Sequence, residues 1–223
     1  MKVALSNVPG LMALWEAQRM RYTPGFFMIL FLGEGSSADQ FVLKYLQTHE
    51  PMLDNMSGPY ASLTVMTPQS SERLQAPGNS SRASDLNYLH LSPVPKNDPD
   101  EDIAIYDLAQ SLSVPLDSFP ALFVSPDPWA YGKAHLFDLG ELISALGEDA
   151  SDQARTDLIS EFFSAVFSAS RESENLGAPK RLRSLAKRAE DIYPKTPGRF
   201  RAAIESGFIA QVVEGLVKGF TPS

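Results

Sequence analysis

The segment Gly33-Glu34-Gly35-Ser36-Ser37 places glycines and hydroxyl side chains where a predicted strand meets a predicted helix. Unpaired backbone N–H groups at a helix N-terminus attract negative charge, so this turn is a candidate anion site. It lacks the third glycine of a dinucleotide fingerprint and the Gly-Lys-Ser/Thr of a phosphate loop. Because serine is among the residues preferred at helix N-caps, we favour that structural interpretation over anion binding.

Other reactive side chains are few and scattered. His49, His90 and His135 have no Glu-x-x-His or His-x-x-x-His partner nearby in sequence, so we expect no metal site. The chain has no cysteine, which excludes disulfides, thiolate zinc sites, iron–sulfur clusters and thiol redox chemistry. We therefore expect no cofactor and favour a binding protein over an enzyme.

A basic cluster is the strongest charge feature of the sequence. Residues 180–201 contain eight Lys/Arg and two Asp/Glu, which gives +6 in a chain of net charge −8 and leaves −14 elsewhere. Five of the basic residues lie on one predicted helix, at Lys180, Arg181, Arg183, Lys187 and Arg188. This helix either docks on the acidic first part of the chain or binds an external polyanion such as nucleic acid. We favour docking, because Leu182 and Leu185 also need a covering surface.

The composition bounds the class of protein. The 223 residues are 43% hydrophobic, which supports a sizeable core, and the net charge of −8 argues against bulk nucleic-acid binding. No apolar run reaches the ~18 residues of a membrane span and no secretory leader is evident, so we expect a cytoplasmic protein without membrane contact. Residues 1–150 carry −10 (8 Lys/Arg, 18 Asp/Glu) and residues 151–223 carry +2 (11 and 9), which predicts a domain boundary between them.

The first part alternates predicted helices and strands. A helix at residues 11–21 precedes the continuous apolar run at 26–32, which is typical of a strand buried on both faces. Ser37 and Gln40 have capping-box spacing and predict the start of the next helix. The remaining predicted elements are strands at 60–67, 86–91, 119–124 and 134–137, helices at 103–112 and 139–146, and an exposed loop at 68–83.

The region 151–223 is predicted to be helical. Apolar residues recur at helical spacing over 158–167, 182–192 and 200–216, which predicts three helices. These helices would bury their apolar faces against one another or against the first domain.

The order of elements over residues 11–147 resembles that of the thioredoxin-like family. In particular, the helix around Tyr106 and the following Phe119-Pro120-Ala121-Leu122-Phe123-Val124 look like the family's strand that opens with a cis proline. The resemblance implies an α/β fold with a central sheet flanked by helices, an insertion at 68–100 and a helical C-terminal extension. Redox-active members carry Cys-x-x-Cys at the strand-to-helix turn, where this chain has Ser36-Ser37-Ala38-Asp39, so disulfide exchange is excluded.

The resemblance implies a non-catalytic binding or adaptor protein that acts through protein–protein contacts. An extended partner segment would add as a strand beside the proline and the serine turn, and two aromatics on a predicted exposed turn would provide anchors. The expected partner-binding residues are Ser36, Ser37, Phe119, Pro120, Trp129 and Tyr131. Two alternatives stay open: a glutathione-transferase-like or other anion- or nucleotide-using enzyme with Ser36 or Ser37 at the turn, and nucleic-acid contact through the basic cluster.

Overall fold

The computed structural model describes residues 2–5, 25–67, 90–91, 101–127, 132–172, 177–192 and 201–206. Within these ranges the chain is an α/β protein with helices on both faces of one mixed sheet. The predicted helix at 11–21, the predicted loop at 68–83 and the aromatic residues Trp129 and Tyr131 lie outside the described residues.

The described strands form a single sheet. They are β1 (Lys2–Leu5), β2 (Phe26–Phe31), β3 (Ala61–Met66), β4 (His90–Leu91), β5 (Ala121–Ser125), β6 (Gly132–Asp138) and β7 (Arg201–Ser206). Their spatial order is β4-β1-β3-β2-β5-β6-β7. The first four in this order are parallel, whereas β5, β6 and β7 are each antiparallel to the preceding neighbour. The strand predictions for β2, β3, β5 and β6 are confirmed, and β1 and β7 were not predicted.

The described helices connect and cover these strands. They are α1 (Ser37–Ser57), α2 (Glu101–Ser111), α3 (Leu139–Ser144), α4 (Asp152–Glu172) and α5 (Ala178–Ile192), with a short 3-10 helix at Leu116–Ser118. α1 bends at His49, where φ is −110°, because Pro51 inside the helix has no N–H to donate. All five helices were expected from the spacing of their apolar residues.

β2 is the central strand of the sheet and explains the long apolar run in the sequence. It pairs with β3 on one side and with β5 on the other. Its alternate side chains from Phe26 onward enter a core shared with α1, α3, α4 and α5, and those from Phe27 onward enter a core shared with α2. All six residues of β2 are buried, as expected for a strand covered on both faces.

α4 and α5 pack on the same face of the sheet as α1. Phe162 and Phe163 of α4 lie in one buried core with Leu182 and Leu185 of α5 and with residues of β2 and β3. A Cβ at Gly25, which precedes β2, would lie only 2.7 Å from the carbonyl oxygen of Ser170. The fold therefore depends on glycine at this close approach, and α5 docks on the sheet through its apolar residues.

The prediction of a third C-terminal helix is wrong where the structure describes it. Arg201–Ser206 form β7, which pairs antiparallel with β6 from Gly132 to Phe137. Pairing satisfies the N–H and C=O groups on this side of β6, and that requirement outweighs the helical spacing of Phe200, Ile204 and Phe208. The rest of the predicted helix, residues 207–216, lies outside the described residues.

Candidate functional site

Three segments converge at one end of the sheet. The strand register pairs Phe31, the last residue of β2, with Ala121, the first residue of β5. Ala121 also pairs with Asp138, the last residue of β6. The turn that follows β2, the Phe119–Pro120 segment and the start of α3 therefore lie at the same end. The structure thus brings four predicted site residues to the same end of the sheet: Ser36, Ser37, Phe119 and Pro120.

The turn between β2 and α1 is closed by a serine and an aspartate. Ser36 is the N-cap, with extended backbone (φ −86°, ψ 150°), and its hydroxyl oxygen accepts the Asp39 N–H at 2.9 Å. The same hydroxyl donates to Asp39 Oδ2 at 2.6 Å. The predicted capping pair of Ser37 and Gln40 is therefore wrong by one residue, because Ser36 keeps the extended backbone of a cap while Ser37 is already helical.

Asp39, in the first turn of α1, places a carboxylate against the turn that precedes the helix. The residue is 5% exposed, and its Oδ1 accepts the backbone N–H of Gly33 at 2.8 Å. A Cβ at Gly33 would lie 3.0 Å from Asp39 Oδ2, so glycine permits this approach. The helix N-terminus already has its own carboxylate, which supports the N-cap interpretation and weakens the anion-site interpretation.

The Phe119–Pro120 peptide bond is cis, as the resemblance implies. The ring of Phe119 stacks on Phe31 with centroids 5.6 Å apart and on Tyr106 at 6.3 Å. The carbonyl oxygen of Pro120 accepts the N–H of Leu139 at 2.9 Å. The segment is therefore held from both sides, by aromatic rings in one core and by the start of α3.

An added partner strand would find few backbone N–H donors at the Phe119–Pro120 segment. The N–H of Phe119 donates to the carbonyl of Leu116 at 3.4 Å, which is a long bond, and proline has no N–H. A partner strand at this position would have to replace that long bond. Side-chain contacts therefore contribute more to any recognition here than the sequence interpretation supposed.

Leu116 is a surface feature that the sequence did not indicate. It lies on the 3-10 helix three residues before Phe119, and it is 50% exposed. A single leucine between Pro115 and Asp117 has no apolar periodicity, so no sequence signal marks it. It provides an apolar contact beside the predicted recognition residues.

Asp138 is a second residue that the sequence analysis missed. Its Oδ1 accepts the N–H of Glu141 at 2.7 Å, which makes it the N-cap of α3. Burial raises the pKa of Asp138 above its ordinary value. The backbone hydrogen bonds that its carboxylate accepts lower the pKa, and the neighbouring charges of Glu141 and Asp117 raise it, so the net shift is upward. The spacing of Asp138 and Glu141 is that of a capping box, so this signal was present in the sequence.

Two of the three histidines, His49 and His135, have structural contacts. His49 stacks on Tyr45 with centroids 4.5 Å apart, and its Nδ1 lies 3.0 Å from the Tyr45 carbonyl oxygen. His135 is buried on β6, and its Nε2 lies 3.2 Å from the carbonyl oxygen of Leu182 on α5. Among the described residues, no three His, Asp or Glu side chains are grouped as metal ligands.

The basic residues of α5 divide into two groups. Arg181 Nη1 donates to the Gly25 carbonyl at 3.2 Å, and Arg188 forms an ion pair with Glu172 of α4. Lys180, Arg183 and Lys187 are exposed. Of the five predicted polyanion-binding residues, Arg181 and Arg188 therefore bond to other elements and help to hold α5 in place.

Comparison with protein-family models, curated proteins and solved structures gives no match for this chain. In the described ranges, the helices are either too short or too polar to span a lipid bilayer. The residues and geometry above are therefore the basis for assigning a function.

Proposed function

We propose that this chain is a non-catalytic, thioredoxin-like binding protein. It would recognise a protein partner at the end of the sheet where the serine turn and the Phe119–Pro120 segment meet. The arrangement of β1, β3 and β2 in parallel, followed by antiparallel β5 and β6, is the arrangement of thioredoxin-like sheets and supports this proposal. The redox-active positions of such a domain would correspond to Ser36 and Asp39.

The observation that carries the proposal is the mutual hydrogen bonding of Ser36 and Asp39. The single hydroxyl proton of Ser36 is donated to Asp39 at 2.6 Å, and its oxygen accepts the Asp39 N–H at 2.9 Å. A serine that activates a thiol must donate its hydroxyl proton to the sulfur of the ligand. Here that one proton is donated to Asp39 to close the turn, which supports binding over thiol activation at Ser36.

The alternative of an enzyme that uses an anionic cosubstrate loses its main support for the same reason. Such an enzyme would place the anion against the N–H groups at the start of α1. The first turn of α1 already contains the carboxylate of Asp39, which accepts the N–H of Gly33 in the preceding turn and would repel a second anion. Ser37 is exposed at the first residue of α1 and is the remaining hydroxyl that this alternative could use.

The proposed recognition surface combines apolar and polar groups at this end of the sheet. Leu116 is 50% exposed and Phe119 is half-buried beside it, so together they provide an apolar contact. Ser37 and the backbone of the turn provide the polar contacts at its margin. An apolar centre with a polar rim is the usual composition of a protein interface.

The test compares partner capture by two matched variants of the full chain. Leu116→Ser removes the exposed apolar side chain at the proposed surface, and Leu146→Ser removes a leucine that is 39% exposed after α3. Both changes are on the surface, so we expect unfolding free energies within about 0.5 kcal/mol of wild type. A partner identified with the wild-type chain should be lost with Leu116→Ser and retained with Leu146→Ser.

A second measurement addresses the enzyme alternative directly. Saturating glutathione or nucleotide should leave the melting temperature unchanged, because a ligand that binds only the folded state would raise it. Turnover of a small molecule by the wild-type chain, together with no difference between the two leucine variants, would overturn the proposal.

A further inference from the structure

β7 has a strand neighbour on only one side within the part of the chain that the structure describes. The strand order places it last in the sheet, next to β6, and its six residues are in register with those from Gly132 to Phe137. In an antiparallel pair, alternate residues direct their N–H and C=O groups to the partner strand, and the others direct theirs to the opposite side. Every second residue of β7 therefore presents a backbone donor and acceptor at the outer edge.

The two edges of the sheet differ in how far they can pair with another strand. β4, at the other edge, has only two residues, and a very short strand is one protection against edge pairing. β7 has six residues, pairs with β6 one-to-one without a bulge, and contains no proline, glycine or lysine. Bulges, prolines and lysines are the other common protections of an exposed edge. β7 therefore has the length and regularity that strand addition requires.

The charge pattern of β7 is complementary to its own copy in reverse. Its sequence is Arg-Ala-Ala-Ile-Glu-Ser, so Arg201 and Glu205 stand at equal distances on either side of Ala203. Two copies related by a two-fold axis perpendicular to the sheet pair antiparallel, with one residue opposite its own copy at the axis. With Ala203 at the axis, each Arg201 stands opposite the Glu205 of the other copy. Opposite charges directly across a strand pair stabilise the pairing.

We propose that β7 is a dimerisation strand, which pairs antiparallel with β7 of a second copy of this chain around Ala203. Shifting the axis to Ala202 or Ile204 would place neither Arg201 nor Glu205 opposite an opposite charge within the strand. The register with β6 supports the same arrangement, because Glu205 stands opposite Lys133 there. In the dimer each Glu205 position then lies between two cationic positions, one in β6 and one in the second copy.

A second copy matches this edge better than an unrelated strand does. A foreign strand would need a basic and an acidic residue at the spacing that β7 itself has, whereas a second copy supplies both by symmetry. Pairing over residues 201–205 buries less area than a permanent dimer interface does, so the dimer is concentration-dependent. The two described sheets, of seven strands each, become one continuous sheet.

Dimerisation goes beyond the proposed function and leaves the recognition surface open. β5 and β6 separate β7 from β2, which places β7 about 14 Å to the side of the central strand. The Phe119–Pro120 segment lies at the end of the sheet, where β5 begins. Because the two-fold axis reverses the strand direction, the two copies point their recognition ends in opposite directions. The dimer therefore carries two separate recognition sites.

The first experiment measures the oligomeric state of the full chain by analytical ultracentrifugation, from low micromolar to near-millimolar concentration. R201E and E205R each place like charges opposite each other in the dimer, and an equimolar mixture of the two variants restores opposite charges at both pairs. K44E and E161R are the matched controls. They make the same changes in net charge at exposed residues of α1 and α4, on a face of the sheet and not at its edge.

We expect wild type to form dimers as the concentration rises, and R201E or E205R alone to dimerise at least about tenfold more weakly. The mixture of R201E and E205R should form heterodimers with about the wild-type affinity, and K44E and E161R should stay within about twofold of wild type. A wild-type chain that is monomeric at every concentration would overturn the proposal. So would equal effects of R201E and K44E, or a mixture that dimerises no better than its components.

The second experiment tests the register with single cysteines, since the chain has none of its own. Directly opposite residues have Cα atoms about 4.5–5.5 Å apart, which a disulfide can span, so A203C should form a disulfide-linked dimer after oxidation with glutathione disulfide. In A202C the two cysteines are offset by two residues and lie about 8 Å apart, beyond the reach of a disulfide. Non-reducing electrophoresis should therefore show a linked dimer for A203C and glutathione-blocked monomer for A202C. Equal linkage of both variants, or of neither, would contradict pairing around Ala203.

Discussion

Ser36 and Asp39 close the turn at the start of α1 by bonding to each other twice. The Ser36 hydroxyl donates to the Asp39 carboxylate at 2.6 Å and accepts the Asp39 N–H at 2.9 Å. The second carboxylate oxygen of Asp39 accepts the N–H of Gly33 at 2.8 Å, which links the end of β2 to the helix. One buried carboxylate therefore accepts hydrogen bonds from two polar groups of the turn, the Ser36 hydroxyl and the Gly33 N–H.

Replacing Ser36 by alanine should destabilise the protein, whereas replacing Ser37 should not. Ser36→Ala removes the N-cap oxygen and one of the donors to Asp39, so we expect a loss of about 1–2 kcal/mol in the free energy of unfolding. Ser37 is exposed and helical, and Ser37→Ala should stay within about 0.5 kcal/mol of wild type. Urea denaturation of the two variants checks this difference. Equal stability of both would show that the Ser36 cap does not contribute.

Cysteines at positions 36 and 39 should form a disulfide within the turn. Ser36 Oγ and Asp39 Oδ2 lie 2.6 Å apart, so the two side chains point toward each other. Cysteine sulfurs would stand at the γ positions of residues 36 and 39 and can meet after a small adjustment. The chain has no native cysteine, so Ser36→Cys/Asp39→Cys contains only these two thiols. After oxidation with glutathione disulfide, intact-mass analysis should show the loss of two hydrogens and no glutathione adduct.

The matched control for this disulfide is Ser37→Cys/Asp39→Cys. Helical residues two apart do not face each other, so this pair should give glutathione adducts in place of an internal bond. Adducts with both variants would contradict the proposed equivalence of Ser36 and Asp39 to the cysteine positions of redox-active thioredoxin-like domains.

The elements with strong local signals were predictable from the sequence. Uninterrupted apolar residues at 26–32 indicated a strand buried on both faces, and the alternation of its side chains between two cores explains why no polar residue interrupts it. β1 has four residues, too few to show a period, and β7 carries a helical spacing that pairing with β6 overrides. Strands of this kind are defined by their partners more than by their own residues.

The candidate site was predictable only in part, for a similar reason. Ser36 and Phe119 could be named because each stands beside a turn or a proline, but their shared location depends on the register of β2 against β5. Leu116 has no pattern of its own, and its exposure results from the 3-10 helix that holds it. The partners of Arg181 and Arg188 also required the structure, because Gly25 lies 156 residues from Arg181 and no sequence spacing pairs Arg188 with Glu172 of another helix.

Substituting alanine for Gly25 should destabilise the contact between β2 and α4. A Cβ at this position would lie 2.7 Å from the carbonyl oxygen of Ser170 and 2.8 Å from its hydroxyl oxygen. The carbonyl belongs to a packed helix and cannot rotate away, so we expect a loss of about 1–3 kcal/mol. Gly35→Ala is the matched control, because nothing lies within 4 Å of its Cβ position. Urea titrations in which Gly25→Ala and Gly35→Ala have equal midpoints would contradict this contact.

Asp138→Asn should change how stability depends on pH. Burial raises the pKa of Asp138, so the folded state holds the proton more tightly than the unfolded chain does. The contribution of Asp138 to the free energy of unfolding is therefore most favourable below the pKa that this carboxyl has in the unfolded chain. It is lost as the pH rises through the pKa that the carboxyl has in the folded protein. Asparagine keeps the N-cap oxygen that accepts the Glu141 N–H but does not titrate. The stability of Asp138→Asn relative to wild type should accordingly increase from about pH 4 to pH 7 in urea titrations.

Asp138→Ala should instead lose about 1 kcal/mol of unfolding free energy through the missing cap. A difference between Asp138→Asn and wild type that is the same at both pH values would contradict the expected effect of burial.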